Sequence, residues 1–269
     1  MTETHTDLHT GALVCLQLEN PGEKVACTNK LYDSWQAGEL ACSPGHPSMS
    51  IPVPGRPPRP QLVAPRELAR RSAHTKEGRA ALIHALCHIE FNAINLALDA
   101  VYRFDGMPRE FYADWLQVAK EEACHFQLLG THLHELGYEY GDFPAHNGLW
   151  EMAVQTDHDV MVRMALVPRV LEARGLDVTP GIIDKLRDAG DLRAVEILRI
   201  IEHDEVGHVE IGSRWFRYVC EQRGLAPFST FKQLLKQYMK GQLKGPFNHQ
   251  SRKLAGFSEA ELAYLESAG

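Results

Sequence analysis

The feature that most constrains this chain is a short motif that occurs twice, an acidic residue followed by Glu-x-x-His. The first copy is Glu121-Glu122-Ala123-Cys124-His125, and the second is Asp204-Glu205-Val206-Gly207-His208. On a helix, residues three apart lie about one turn apart on the same face, so one metal ion can contact both side chains. Random composition gives two such copies only about one time in a hundred. The motif therefore predicts a metal site built on two helices.

The middle of the chain, from about residue 74 to residue 224, is predicted to be almost entirely helical. Four segments cover residues 76–103, 109–137, 158–175 and 189–223, and runs rich in glycine and proline separate them. Runs of alternating apolar and polar residues, which mark strands, do not occur in the sequence. The fold class is therefore predicted to be all-α, with each Glu-x-x-His motif on one long helix.

Each of the two remaining helices supplies one acid in a suitable position, as a site of this type requires. Glu90 lies in an otherwise apolar stretch of the first helix, and Glu172 lies on the third. The interval from Glu90 to Glu122 is 32 residues and that from Glu172 to Glu205 is 33, so two similar hairpins would place their carboxylates at matching depth. Carboxylate with imidazole suits iron or manganese. The predicted ligands are Glu90, Glu122, His125, Glu172, Glu205 and His208.

This order of ligands resembles the ferritin-like di-iron carboxylate superfamily, which includes ferritins, rubrerythrins, fatty-acyl desaturases, ribonucleotide reductase small subunits and a tRNA hydroxylase. Residues from about 60 to 265 are also similar to a bacterial family of ferritin-like domain proteins, through the stretches at residues 88–93, 141–146 and 164–175. The resemblance implies a ferritin-like four-helix bundle that binds two iron ions. Manganese, or a mixed iron and manganese pair, is the alternative.

In that superfamily the second and third helices run parallel, so a long crossover must join them. The spacing places the crossover at residues 138–157, with one short helix near residues 149–154 and Asp157 as the N-cap of the third helix. This geometry would bring Glu122 and Glu172 to equal depth in the bundle.

The resemblance also implies roles for two acids beside the ligands. A metal-binding histidine usually donates its second ring nitrogen to a carboxylate. By resemblance, Asp204 would orient His125 and Glu121 would orient His208. The alternative is that both acids lie on a solvated helix flank.

Three further residues near the ligands have alternative interpretations. Glu202 lies one turn before Glu205 and is either a seventh ligand or a solvent-facing acid. His84 and His88 lie on different helix faces from Glu90, so we expect hydrogen-bonded core or interface histidines rather than ligands.

The N-terminal part, residues 1–70, is predicted to pack on the bundle formed by residues 71–225. Asn20 and Pro21 mark a helix start, as cap and first helical residue. The prolines that follow, from residue 43 to residue 66, predict an extended arm that crosses a neighbouring surface.

Residues 226–269 are predicted to form a C-terminal helical extension, whose last helix begins with a capping box at Ser258 and Glu261. The extension carries a lysine stripe that could contact an anionic partner such as RNA, although a solvated helix face is the favoured interpretation. The stripe consists of Lys232, Lys236, Lys240 and Lys244.

Composition limits the classes of protein further. The six cysteines form no CxxC pair, which predicts reduced thiols in a cytoplasm rather than a disulfide framework. No run of eighteen apolar residues and no basic-then-apolar N-terminus occurs, so we expect neither a membrane span nor a secretory signal. The net charge of -7 argues against nonspecific nucleic-acid binding by the whole protein.

These observations favour a di-iron oxidoreductase that activates dioxygen or peroxide, and oxidises or hydroxylates a small or nucleoside substrate with electrons from a donor that the sequence does not identify. A non-catalytic metal store or oxidative-stress metal-binding protein is the alternative. A helical bundle whose acids and histidines form only hydrogen-bond networks is the third interpretation. The arm and the C-terminal helices favour a homodimer over a cage.

Overall fold

The computed structural model describes residues 7–42, 44–46, 48–69, 71–239, 243 and 245–268. These residues form helices and loops without a β-strand, which confirms the predicted all-α class. The chain divides into two compact units, residues 1–154 and residues 155–269. The division of the sequence at residues 70 and 225 stays a prediction.

The first unit is built around a long helical hairpin. Its described helices are α1 (Leu8–Gln17), α2 (Pro21–Gln36), α3 (Lys76–Arg103), α4 (Arg109–Glu135) and α5 (Gly148–Gln155), the last of which ends at the unit boundary. α3 and α4 form the hairpin, with α1 packed on α3 and α2 packed on α4. By length and composition α3 could cross a membrane, but 78% of its apolar stretch is buried inside the protein, as in a core helix.

The helix starts of this unit follow their predicted signals. Asn20 caps α2 because its Oδ1 accepts a hydrogen bond from the Glu23 N–H at 3.1 Å. α3 has the predicted bounds, and α4 begins at the predicted residue and ends two residues before residue 137. The sequence pattern does not predict α1, which Asp7 caps by accepting a hydrogen bond from the Thr10 N–H at 3.0 Å.

A disulfide joins α1 to α2, between Cys15 and Cys27. The prediction of six reduced thiols is therefore wrong for this pair. The two cysteines are 12 residues apart on packed helices, so the turn between the helices brings them together without a CxxC spacing. The free thiols in the described residues belong to Cys42, Cys87, Cys124 and Cys220.

The proline-rich arm is extended, as predicted, and three contacts hold it to the first unit. The Trp150 Nε1–H donates to the Ile51 carbonyl at 3.1 Å. The Gly55 N–H donates to the Leu16 carbonyl at 3.0 Å. A parallel bridge pairs Leu62 with Ala145. The arm is therefore a fixed part of this unit.

The second unit consists of one interrupted helix, the long helix after it and three shorter helices among the described residues. The interrupted helix comprises α6 (Val160–Leu166), a π-helical segment (Val167–Glu172) and α7 (Ala173–Asp188). α8 (Leu192–Gln222) packs along all three of these parts. The shorter helices are α9 (Pro227–Tyr238), α10 (His249–Leu254) and α11 (Glu259–Ala268).

The predicted start and end of the third helix are both wrong. The N-cap is Asp159 rather than Asp157, because the Asp159 Oδ1 accepts from the Met161 N–H at 2.7 Å. The helix also continues through Gly175 to Asp188 instead of ending at residue 175. Its buried side lies on one face, which favours continued helix over a break; the buried residues of α7 are Ala173, Leu176, Thr179, Ile183 and Leu186.

Pro180 lies inside α7, where it lacks the N–H that would bond the Leu176 carbonyl. The Asn248 amide donates to that carbonyl instead, at 3.2 Å. Arg252 on α10 adds a buried ion pair with Asp177, with its Nη2 2.7 Å from the Asp177 Oδ2. The C-terminal extension therefore repairs the hydrogen bonding that proline removes.

A second buried charge connects the π-helical segment to α11. The Arg169 Nη2 lies 2.6 Å from the Glu261 Oε1, and its guanidinium lies 4.2 to 4.8 Å from the ring centres of Phe216, Phe231 and Phe257. Burial alone would raise the pKa of Glu261, but the Arg169 charge outweighs it and lowers that pKa. Glu261 also forms the predicted capping box with Ser258.

The Pro168 ring lies directly against Gly212 of α8. A Cβ atom on Gly212 would lie 2.3 Å from the Pro168 Cγ, so only glycine fits there without displacement. We expect Gly212→Ala to lower the free energy of unfolding by about 1–3 kcal/mol through overpacking. Gly207→Ala, on the same helix, is the control, because a Cβ there meets no described atom within 4 Å; it should stabilise by up to about 1 kcal/mol or be neutral.

Urea denaturation followed by circular dichroism measures both variants. Equal midpoints for Gly212→Ala and Gly207→Ala would contradict this packing of the π-helical segment on α8.

Candidate metal centre

The first unit brings three of the predicted ligands together, which we call the α3–α4 cluster: Glu90, Glu122 and His125. The His125 Nδ1 lies 3.4 Å from the Glu90 Oε2 and 3.4 Å from the Glu122 Oε2. Glu90 is 3% exposed, and the other two side chains are fully buried. One ligand atom from each of the three lies within 4.8 Å of the others.

Local sequence explains how this cluster forms. Glu122 and His125 are three apart on α4, so both point from the same side of that helix. Glu90 lies on α3 among buried residues that include Phe91 and Ile94, and α3 packs on α4 along its length. The hairpin therefore places one acid from α3 opposite the Glu-x-x-His pair of α4.

The electrostatics of the cluster are those of buried acids around one base. Burial, and after it the Glu122 carboxylate, raise the pKa of Glu90 to about 8. Burial alone would lower the pKa of His125, but its hydrogen bonds to Glu122 and Glu90 outweigh this and raise the pKa to about 12. An ionised carboxylate in this buried cluster therefore needs a positively charged group beside it.

The spacing of the cluster fits a bound metal ion. Ligand atoms held about 2.1 Å from one ion, with about 90–110° between them, lie roughly 3.0–3.4 Å apart. A charge-assisted hydrogen bond between nitrogen and oxygen is shorter, at about 2.7–2.9 Å. The two 3.4 Å distances from His125 fall within the range for ligands of one ion and are long for hydrogen bonds. Carboxylate oxygen and imidazole nitrogen are also suitable donors for iron or manganese.

The second unit holds the other three predicted ligands. Glu205 and His208 lie one turn apart on α8, with the His208 Nδ1 3.9 Å from the Glu205 Oε1. Glu205 is 9% exposed and His208 is 1% exposed. Glu172 is the last residue of the π-helical segment, which packs against α8. Each unit therefore carries one Glu-x-x-His pair on a long helix and one acid on the helical segment beside it.

The interruption at Glu172 is a local consequence of the chain around Pro168. Proline cannot donate the backbone hydrogen bond of a regular α-helix, and the residues from Val167 to Glu172 adopt π-helical pairing instead. A π-helical turn contains more residues than an α-helical turn, so it changes the side from which the next side chains project. This segment therefore sets the direction of Glu172.

The three acids predicted to surround the ligands are all partly exposed. Glu121 is partly exposed, and its Oε1 accepts a hydrogen bond from the Gln117 Nε2 at 2.6 Å. Asp204 and Glu202 are also partly exposed. The orienting roles of Asp204 and Glu121, and Glu202 as a seventh ligand, stay predictions.

The two histidines of α3 are hydrogen-bonded, as predicted. The His84 Nε2 accepts from the Gly141 N–H at 2.9 Å. The His88 Nε2 lies 3.0 Å from the His146 carbonyl, which only accepts, so this nitrogen carries the proton. The His88 Nδ1 then accepts from the Tyr140 hydroxyl at 2.9 Å.

A family model described as "Protein of unknown function (DUF455)" matches residues 17–263. The chain belongs to the DUF455 family. This DUF455 protein is 45% identical over 276 residues to a protein of Haemophilus influenzae (strain ATCC 51907 / DSM 11121 / KW20 / Rd) that is named "Uncharacterized protein". The alignment covers 98% of this chain and 96% of the relative, and no solved structure matches.

The family match includes both units of the DUF455 protein. All six predicted ligands lie between residues 17 and 263, so the whole candidate centre belongs to the region that defines the family. The arm and most of the C-terminal extension also lie inside it.

The acid excess of the α3–α4 cluster leads to a stability prediction for the DUF455 protein. With a chelator present at pH 7, Glu90→Gln should raise the free energy of unfolding by about 1–3 kcal/mol, because folding must protonate this buried acid, a cost that a neutral amide does not have. With saturating metal the order should reverse, because the variant loses a ligand.

Thermal unfolding with and without chelator measures both effects. Glu77→Gln is the control, because this acid lies on α3 with its side chain 59% exposed. A Glu90→Gln variant that is less stable than the wild type in both conditions would show that the acid excess is not a source of instability.

Proposed function

We propose that this DUF455 protein is a ferritin-like dinuclear metal protein, with three of its six ligands in each unit. The observation that supports the proposal best is the α3–α4 cluster, in which His125 lies 3.4 Å from two buried carboxylates. The matching set of Glu172, Glu205 and His208 in the second unit supplies the partner ligands. Iron is the metal that we propose first, with manganese or a mixed pair as the alternative.

The proposed activity is oxidation or hydroxylation of a small or nucleoside substrate with dioxygen or peroxide. Two bound ions would supply the one-electron steps that such chemistry needs. The protein's own side chains would hold the ions, with four carboxylates balancing most of their charge. The buried setting of Glu90, Glu122 and His125 would exclude water from the reacting centre.

Metal content tests the first part of the proposal. The purified protein should bind two metal ions per chain, and Glu122→Ala and Glu205→Ala should each lower that number, since each removes a predicted ligand. Glu110→Ala and Glu196→Ala are matched controls, because these acids are exposed on the same two helices, α4 and α8. Elemental analysis of the five proteins gives the result.

Full metal occupancy in Glu122→Ala or Glu205→Ala would remove that residue from the ligand set. Full occupancy in both would overturn the dinuclear centre.

Turnover separates an enzyme from the alternative, a non-catalytic metal store or oxidative-stress metal-binding protein. The protein loaded with ferrous iron should consume dioxygen or peroxide repeatedly when an artificial electron donor is supplied. Consumption that stops after one equivalent per centre would favour the store. The cytoplasmic location, the homodimer and an anionic partner at the lysine stripe stay predictions; of the stripe, Lys240 and Lys244 lie outside the described residues.

A further inference from the structure

The first unit contains a narrow cavity between the proline-rich arm and α3, which we call the arm cavity. The space inside it is about 10 Å³, room for about one water-sized group, and it opens to solvent at its mouth. Pro54, Pro57 and Pro60 of the arm and Phe91 of α3 form apolar walls. Two polar side chains of the wall could contact a ligand: Arg56 of the arm and Asn95 of α3.

Arg56 brings a positive charge to the cavity. Among the described residues, no carboxylate forms an ion pair with its guanidinium. Its charge reaches the other polar groups of the wall: burial lowers the pKa of His88 to about 4, and the Arg56 charge acts in the same direction. His88 is therefore neutral at pH 7, and the positive charge of the cavity wall comes from Arg56.

Asn95 adds a buried amide donor. Its Oδ1 accepts from the Lys24 Nζ at 2.7 Å, and since an ammonium group only donates, this contact fixes which amide atom is the oxygen. The Nδ2 of Asn95 therefore occupies the other branch, where it has no hydrogen-bond partner among the described residues. Asn95 is fully buried. A buried donor of this kind favours a ligand that accepts.

Lys24, bonded to the oxygen of the Asn95 amide, affects how strongly the Asn95 Nδ2 donates. Its Nζ also donates to the carbonyls of Cys15 and Leu16 at 3.1 and 2.6 Å, so three acceptors hold it in place at the end of α1. Burial lowers the pKa of Lys24 to about 7. In its protonated form Lys24 polarises the amide and makes its N–H groups better donors. Asn95 thus contacts Lys24 through its amide oxygen and also lines the cavity.

Arg56 is held in position by its neighbour Gly55. A Cβ on Gly55 would lie 2.2 Å from the backbone of Gln17, so the arm approaches the end of α1 as closely as glycine allows. The Gly55 N–H donates to the Leu16 carbonyl that Lys24 also contacts. The backbone beside Arg56 and, through Lys24, the Asn95 side chain are therefore both held at the same end of α1. Groups that are already held in place lose less conformational entropy when a ligand binds.

His88, Tyr140 and Asn92, which also line the cavity, are hydrogen-bonded to one another. Tyr140 donates its hydroxyl proton to His88, and the Asn92 Nδ2 donates to the His88 carbonyl at 2.8 Å. The donors left for a ligand include the guanidinium of Arg56 and the amide of Asn95. Arginine binds carboxylate and phosphate groups through paired N–H donors.

We propose that the arm cavity binds a small molecule through a carboxylate or phosphate group, held between Arg56 and Asn95. The enclosed space admits one oxygen atom of such a group, so the rest of the ligand would lie at the mouth of the cavity. Phe91, in the cavity wall, directly follows Glu90 of the α3–α4 cluster on α3. The ligand would therefore bind beside the helix that carries a proposed metal ligand, but its binding does not require the metal.

Isothermal titration calorimetry of the full chain with a chelator present tests the proposal, using inorganic phosphate and acetate as separate probes. At least one should bind saturably at low ionic strength. Arg56→Met and Asn95→Asp should each weaken that binding by at least about tenfold, the first by removing the charge and the second by replacing a donor with a negative oxygen. Asn95→Asp keeps the acceptor for Lys24, so it preserves the fold.

Arg66→Met is the matched control, because Arg66 is an exposed arginine of the same arm, and its binding should equal that of the wild type. Binding of phosphate alone assigns a phosphate ligand, and binding of acetate alone assigns a carboxylate. Absence of saturable binding for both probes, or unchanged binding in Arg56→Met, would overturn the proposal. Because metal is absent from this experiment, its failure and that of the dinuclear centre are separate results.

Discussion

A carboxylate that leaves water for a protein interior needs a positive charge or donated hydrogen bonds nearby, and both units meet this requirement differently. In the second unit, Arg169 and Glu261 balance one another at 2.6 Å inside an aromatic cage. In the first, Glu90 and Glu122 share the single imidazole of His125. An acid excess in a packed core is a local instability that a bound cation relieves, which is why the proposed metal centre and the fold depend on the same residues.

The long helices were predictable because their signals are local. α3 has the predicted bounds, with a run rich in glycine and proline after its end, and Asn20 caps α2 as expected. The errors come from contacts between distant residues. Pro180 ends a helix when only its neighbours are considered, but Asn248 lies 72 residues from Leu176 and supplies the missing hydrogen bond. No local pattern contains that information, nor the disulfide that two packed helices form between Cys15 and Cys27.

The candidate site also combines features that the local sequence predicts with features that depend on distant residues. The Glu-x-x-His spacing predicts that Glu122 and His125 share a helix face, and the approach of Glu90 follows from the α3–α4 hairpin. The π-helical turn that carries Glu172 depends on how Pro168 packs against Gly212, so the sequence alone indicates only an irregularity there. The arm cavity was not predicted at all. A signal existed in the arginine placed among prolines, but the partner Asn95 is 39 residues further along the chain and resembles any core asparagine.

The pairing of Arg169 with Glu261 has a consequence for the order in which the second unit is made. The two residues are 92 positions apart, and the acid lies on the last described helix. As the chain leaves the ribosome, the guanidinium emerges long before its counter-charge, and it must stay hydrated until α11 arrives. The π-helical segment can therefore reach its final packing only after α11 has been synthesised, because a chain without α11 leaves the buried Arg169 without the Glu261 carboxylate.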